Sequence, residues 1–184
     1  MPVAAVLWCV AALLAIAVAA VAMARWRSAT PLVYGATFVV TGIACAIAVA
    51  ALWAGPSSLT LPLGLPWIGA HFRLDALSAF FLAVVALGGA AASLYGIGYG
   101  RHEHEPHRVL PFFPTFLAGM MLVLLADDAF TFLLSWECMS LASWALVLAH
   151  HRDPDNLRAG YVYIVMASFG TLALLLAFGL LAGP

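Results

Sequence analysis

Long apolar runs separated by short polar connections dominate this chain of 184 residues. A membrane-crossing helix must span a hydrocarbon layer of about 30 Å and needs ~20 residues, a length that these runs approach or reach. Backbone groups in lipid must bond within their own segment, so we expect the runs to be helices, and no period-two alternation indicates a barrel. Six spans are predicted, at residues 3–24, 32–54, 76–99, 111–126, 129–149 and 159–182.

Composition supports the same interpretation. Hydrophobic residues make up 66% of the chain and charged residues only 8%, whereas about a quarter of the residues in soluble domains are charged. The sequence therefore predicts an all-α membrane protein in which residues 1–184 form a single transmembrane domain. The net charge of −1 gives no electrostatic reason to expect a nucleic-acid partner, so the lipid bilayer is the expected environment.

Residues 55–75 form the one long polar connection. Its Gly and Pro residues are typical of turns, and segments 58–61 and 70–74 are predicted to pair as a short hairpin outside the membrane. Asp75 and Asp128 directly precede two spans, where a carboxylate accepts backbone N–H bonds and faces the positive end of the helix dipole. Capping is the favoured role of both, and proton exit near Asp127 and Asp128 is the alternative.

The distribution of arginine predicts the orientation. The chain has seven Arg residues and no Lys, and the connections between spans one and two, three and four, and five and six hold all of them except Arg73. Positive residues are enriched on the cytoplasmic side. We therefore expect that face to be cytoplasmic and both chain ends to lie outside.

Glu137 is the one charged residue set deep inside an apolar span, because residues 130–144 contain no turn residue that would return it to water. Placing an acid at the membrane centre costs roughly 2.5 to 3.5 kcal/mol, and such residues are by default candidates for moving ions or protons. If the fifth span starts at residue 129, Glu137 lies roughly 12 Å along it, near the midplane. We predict a proton carrier; the alternative is a permanently protonated acid bonded to a helix carbonyl.

Two residues of the same span are predicted to support this acid. Ser140 and Trp144 follow it at i+3 and i+7 on one helical stripe, so their hydroxyl and indole N–H can bond the carboxyl group or a water molecule. Span six offers Ser168 and Thr171, one turn apart, as hydroxyls that hold water or bond their own helix. The spans contain no basic side chain to serve as a cationic partner.

His150 and His151 stand at the predicted cytoplasmic end of span five, where histidine titrates near neutral pH. They are tentative residues for proton access, and an interfacial role without transport is the alternative. The loop 101–108 contains three His residues, but its spacing does not match a closed metal site and a solvated loop is favoured. The three Cys residues lie far apart in spans, and no nucleophile, phosphate-loop or haem motif appears. The sequence predicts neither a metal site nor a cofactor site.

With Glu137 placed, the chain resembles the antiporter-like membrane subunits shared by respiratory complex I, Mrp-type cation/proton antiporters and membrane-bound NiFe hydrogenases. Hydrogenase-4 component B and the related formate hydrogenlyase membrane subunit are the members it resembles most. The Trp136–Glu137 pair within a span is the most specific element. The resemblance covers nearly the whole chain and is densest in segments 61–69, 71–81, 126–137 and 159–171.

The resemblance implies a role in a redox-driven, proton-translocating complex. Glu137 then corresponds to the glutamate on the fifth helix of the family, which couples to a lysine on a later, broken helix. The implied partners are other membrane subunits and a peripheral hydrogenase or dehydrogenase arm, with NiFe and iron-sulfur centres in those partner subunits. The implied location is the inner membrane of a bacterial or archaeal cell.

Family members usually have about fourteen helices, including two inverted five-helix units, whereas six spans are predicted here. The chain therefore corresponds to three leading helices and about half of one unit, without the lysine-bearing helices. We expect either a fragment of a longer subunit, which is favoured, or a second polypeptide that supplies the remainder. A non-conducting scaffold that docks other membrane subunits is the alternative function.

Overall fold

Six α-helices and one β-hairpin make up the described part of the chain. The computed structural model describes residues 1–23, 26, 28–62, 69–100, 106–150 and 152–182, without the side chain of His150. All six helical segments are long and apolar enough to cross a membrane, which confirms the predicted all-α membrane protein. The elements are α1 (Pro2–Ala22), α2 (Ala29–Ala51), β1 (Ser57–Leu61), β2 (Ala70–Leu74), α3 (Ala76–Tyr99), α4 (Phe112–Leu125), α5 (Ala129–Val147) and α6 (Pro154–Ala182).

Helix α6 begins earlier than the apolar pattern indicates, at Pro154 and not at residue 159. Proline suits the first helical position because its fixed φ is already helical and its missing N–H would have no partner there. The Asp153 carboxylate accepts a 3.0 Å bond from the amide of Asp155, which satisfies one of the free N–H groups of the first turn. Polar residues can therefore form the start of this helix, although hydropathy alone excludes them from the span.

Helices α1 to α4 form the packed core, and among its largest fully buried side chains are Leu13, Leu82 and Met121. Small residues allow close helix approach. A Cβ built on Gly89 of α3 would lie 3.1 Å from Leu117 of α4 and 3.3 Å from Thr41 of α2. Such contacts matter because lipid tails are as apolar as the helix surfaces, so that packing drives association.

The hairpin covers one end of this bundle. Strands β1 and β2 pair antiparallel from Ser57↔Leu74 to Leu61↔Ala70, which confirms the predicted hairpin. The amide of Val3 in α1 donates to Ser57 Oγ at 3.3 Å, and Phe72 forms a β-bridge with Ala126 after α4. The start of α1, the end of α4 and the start of α5 therefore lie at the same end.

Helices α5 and α6 extend the bundle on the side of α4. A Cβ on Gly119 of α4 would lie only 2.9 Å from the Cα of Met139 in α5, so these two backbones are in close contact. Across the described length of α6, Gly160 alone is buried, and it faces Leu148 after α5. Helix α6 is thus an edge helix that rests mainly on α5.

Candidate functional site

Glu137 lies near the middle of α5 and is partly buried. It follows Ala129 by eight residues, so it lies roughly 12 Å along the helix axis from the start. The described residues contain no ion pair to this carboxyl group, since the salt bridges found there involve Asp128 and Asp75. Hydrogen bonding, and not charge pairing, therefore stabilises Glu137 in this part of the molecule.

The hydrogen bond of Glu137 comes from the neighbouring helix. The Thr171 hydroxyl of α6 donates to Glu137 Oε1, and the same Oγ1 lies 3.2 Å from the carbonyl oxygen of Ala167, one turn back in α6. Thr171 is partly buried, whereas Ser168 is exposed. The sequence identified Thr171 only as one of two hydroxyls in span six, because spacing within one helix cannot show which residue faces α5.

Ser140 and Trp144 lie on the same helix as Glu137, the first buried and the second partly buried. Within the described residues, the side-chain hydrogen bond recorded for Glu137 comes from Thr171, and none joins it to Ser140 or Trp144. The supporting role of these two residues stays a prediction. His150 has its side chain outside the described residues, as does the whole of His151, and so does the 101–105 part of the histidine-containing loop.

Aromatic rings surround this part of α5. Phe132 stacks on Trp136 with ring centroids 6.0 Å apart, and it meets Phe178 of α6 edge-on at 5.9 Å. The indole nitrogen of Trp136 is buried and has no hydrogen-bond partner among the described residues. The rings form an apolar contact between α5 and α6 on the hairpin side of the Glu137–Thr171 bond.

A second polar cluster joins the hairpin to the start of α5. Asp128 caps α5 by accepting the Thr131 amide at 2.8 Å and the Thr131 hydroxyl at 2.5 Å. The backbone amide of His71 in β2 donates to the same carboxylate at 3.0 Å. The Nδ1 atom of the His71 imidazole lies 3.5 Å from Asp128 Oδ2. The Asp127 amide in turn donates to the His71 carbonyl at 2.9 Å. The predicted capping role of Asp128 is confirmed.

Both capping acids have a lowered pKa. Burial by itself raises the pKa of Asp128, but the bonds from Thr131 and from the His71 amide, with the nearby imidazole, together outweigh it. For Asp75, the Ser78 amide lowers the pKa most, and the two residues form a capping box. Both acids are therefore charged structural caps at neutral pH.

Comparison with known proteins shows which family this chain resembles. Residues 126–183 match the membrane-domain model described as NADH:quinone oxidoreductase/Mrp antiporter. Hydrogenase-4 component B of Escherichia coli K12 is 38% identical over 108 residues, which are 58% of this chain and 16% of that protein. Residues 126–183 of the chain are thus similar to this antiporter-like family.

Two further similarities are to a sequence relative and to the fold of a solved structure. NADH-quinone oxidoreductase subunit L of Escherichia coli K12 is 32% identical over 110 residues, 60% of this chain and 18% of that protein. The solved Mrp complex of Dietzia sp. DQ12-45-1b shares the fold with a TM-score of 0.73 at 24% identity, covering 95% of this chain and 34% of the matched chain. The chain thus spans less than a fifth of the length of these two sequence relatives.

The matched segment contains the site. Helices α5 and α6, and hence both Glu137 and Thr171, lie within residues 126–183. The Asp128 cap lies there as well, whereas the hairpin residue that contacts it lies outside. Glu137 is therefore part of the segment that matches the antiporter-like family.

Proposed function

We propose that this chain is part of a proton-translocating membrane subunit of a redox-driven complex of the hydrogenase-4 or complex I type, with Glu137 as the intramembrane proton carrier. One observation carries the proposal. An acid lies at the middle of α5, has no ion pair in the described part of the chain, and accepts a hydrogen bond from a second helix of the family-matched segment. Intramembrane acids with a specific partner are typical of proton relays.

The chemistry follows from the position of the carboxyl group. Among the described side chains, the Thr171 hydroxyl alone donates a hydrogen bond to this carboxyl group, which has no ion pair there. Such a group takes a proton from one side of the membrane and releases it to the other. Ser140, Trp144 and the pair His150 and His151 keep their predicted supporting and access roles.

In this proposal, partner subunits supply the redox chemistry. The relatives named above include a hydrogenase component and an NADH-quinone oxidoreductase subunit. We therefore place NiFe or iron-sulfur centres in a peripheral arm and further proton-carrying helices in other membrane regions. Redox chemistry in those partners then drives proton transfer through Glu137.

We also propose that the hairpin faces outward from the cytoplasm in a bacterial or archaeal inner membrane. Arg73 lies on the hairpin. Arg108, before α4, Arg152, after α5, and Arg158, near the start of α6, lie toward the opposite end. The positive-inside rule then assigns that opposite end to the cytoplasm. Reporter fusions after residues 62 and 152 test the assignment, since a periplasmic reporter is expected to be active only at the first.

The central test is Glu137→Gln in the intact complex, reconstituted in liposomes with a pH-sensitive dye inside. Glutamine keeps the size and hydrogen-bonding capacity but cannot carry a proton, so translocation is expected to fall to background while the complex stays assembled. Cys138→Ser is the matched control, because Cys138 is exposed and adjacent. Undiminished proton uptake by the assembled Glu137→Gln complex would contradict the proposal.

A non-conducting scaffold is the second candidate, and the exposure of α6 favours it. Large apolar side chains such as Phe169, Leu176 and Leu180 are more than half exposed along this helix, a surface suited to docking other membrane subunits. Infrared difference spectroscopy separates the two functions. A carrier changes its protonation during turnover, whereas a scaffold keeps the Glu137 carbonyl band constant at every pH.

A further inference from the structure

Thr171 has more hydrogen-bond partners within reach than its single proton can serve. Its Oγ1 lies within bonding distance of Glu137 Oε1 in α5 and 3.2 Å from the Ala167 carbonyl in its own helix. Both of these oxygens are acceptors when Glu137 is ionised. A hydroxyl donates one proton but also accepts, so it can bond one oxygen as donor and another group as acceptor.

We infer that Thr171 is a positioning residue that keeps Glu137 hydrogen-bonded in both of its protonation states by turning its hydroxyl proton between Glu137 and the Ala167 carbonyl. The inference rests on the proposed function, since it concerns the carrier that the function requires. It adds a residue that acts on the carrier from α6. A side chain that could only donate, or only accept, would satisfy just one of the two states.

The two states differ by one transported proton. In the ionised state the Thr171 hydroxyl donates to Glu137 Oε1, and the Ala167 carbonyl keeps its own helical bond. When a hydronium ion delivers a proton to Oε1, water leaves, and the new carboxyl O–H donates to Thr171 Oγ1. The Thr171 proton leaves its hydrogen bond to Oε1 and turns to the Ala167 carbonyl by rotation about the Cβ–Oγ1 bond, without any covalent bond being broken.

Among the described residues, the Thr171 hydroxyl is the group beside Glu137 that can respond to its protonation state. Helix α4 carries no titratable side chain, and α5 carries only the exposed Cys138 besides Glu137. In α6 the titratable or charged residues are confined to its first ten positions, at Asp155, Arg158, Tyr161 and Tyr163. Tyr163 precedes Thr171 by eight residues, roughly 12 Å along the helix. Among the described residues of these helices, none offers Glu137 a charge that would favour one state.

The test compares Thr171→Val, Thr171→Ser and Ser168→Ala in the intact complex. Valine keeps the shape of threonine without the hydroxyl, serine restores the hydroxyl, and Ser168→Ala removes an exposed hydroxyl one turn away. Proton translocation is expected to slow by about threefold to tenfold in Thr171→Val, the range for one interhelical hydrogen bond in a membrane. Thr171→Ser and Ser168→Ala are expected to match the wild type.

A spectroscopic reading separates positioning from simple packing. The carbonyl stretch of neutral Glu137, identified by its absence in Glu137→Gln, should rise in frequency in Thr171→Val and return in Thr171→Ser. An unchanged band and rate in Thr171→Val would overturn the inference while leaving the carrier role intact if Glu137→Gln is still inactive. If Glu137→Gln also translocates protons normally, the proposed function itself fails.

Discussion

Two regions of this molecule hold together in different ways. Helices α1 to α4 enclose fully buried large side chains such as Leu13 and Leu82, whereas α6 buries only Gly160 along its described length. A water-soluble protein could not leave a helix so exposed and apolar. In lipid the exposed side chains lose nothing, because hydrocarbon solvates them as well as a protein core does.

The difference shows where specificity comes from in each region. In the core, close packing of small and large side chains fixes the arrangement. Between α5 and α6 a few contacts suffice, among them the edge-on Phe132–Phe178 pair and the Glu137–Thr171 bond. The site therefore lies where packing is sparse, and the hydrogen bond is one of the few contacts between the two helices.

The largest effect is expected from Gly119→Leu. A side chain there would overlap the backbone of Met139, which cannot give way without moving α5. Overpacking of this kind costs about 3 kcal/mol, the upper end of its usual range. Gly170→Leu in α6 is the matched control, since no atom lies within 4 Å of its added Cβ. Unfolding in detergent measures the stability of both variants. Equal stabilities would show that the two positions tolerate a side chain equally well.

Leu82→Ala comes next, because Leu82 is fully buried in the core. We expect the free energy of unfolding to fall by about 2 kcal/mol, the lower end for such truncations, since lipid replaces part of the lost apolar contact. Leu176→Ala removes an equal volume from an exposed position of α6 and should change stability by less than about 0.5 kcal/mol. A comparable loss in both variants would show that α6 is packed as tightly as the core.

Asp128→Ala tests the contact between the hairpin and the start of α5. Removing this cap should cost about 1 kcal/mol at neutral pH, because the Thr131 and His71 amides lose their acceptor. Asp127→Ala, an exposed neighbour whose bond to His71 is made by its backbone amide, serves as control. Chemical unfolding at pH 7 compares the two variants, and equal losses would argue against the capping contribution.

The lowered pKa of Asp128 predicts that the free energy of unfolding depends on pH. The pKa of Asp128 is lower folded than unfolded, so its stabilisation is present above the ordinary Asp pKa of about 3.9 and disappears as pH falls through the folded value. The wild type should therefore lose more stability than Asp128→Ala between pH 5 and about 2. Asp75, whose pKa is also lowered, leaves a residual slope in both. Parallel curves would contradict this assignment.

Thr171→Val should lower stability by only about 0.6 kcal/mol, the average for an interhelical hydrogen bond in a membrane protein. The change is small because α6 already rests on lipid and on apolar contacts. Thermal unfolding of the complex measures it beside Thr171→Ser. A loss above about 2 kcal/mol would mean that this bond holds α6 in place and does more than orient Glu137.

Local patterns predicted much of the fold because local physics controls it. The lengths of the apolar runs indicated six helices, Asp75 and Asp128 directly before two spans indicated caps, and the two strand segments indicated the hairpin. The start of α6 was misplaced since hydropathy marks where lipid begins, not where a helix begins. The polar residues after Pro154 satisfy helical bonding without being apolar.

The candidate site, too, could be predicted from the sequence only in part. The depth of Glu137 follows from counting residues in an apolar run, so its unusual cost was visible in the chain alone. Its hydrogen-bond partner could not be identified in the same way, because several polar residues were candidates. Ser140 and Trp144 lie on the same helical stripe, and Ser168 and Thr171 both carry hydroxyls in span six. The rotation of α6 about its axis is set by contacts with α5, and sequence spacing within either helix does not contain it.

The amino-acid sequence by itself determined that the chain crosses a membrane with helices and that one acid lies in the middle of the fifth. These properties depend on solvation and on hydrogen bonds a few residues apart, which are fixed by the order of side chains. Only the tertiary structure decided that Thr171 bonds Glu137, that Asp128 joins α5 to the hairpin, and that α6 lies at the edge. Those facts depend on how separate helices rotate and pack, and that is settled by contacts between residues distant in the chain.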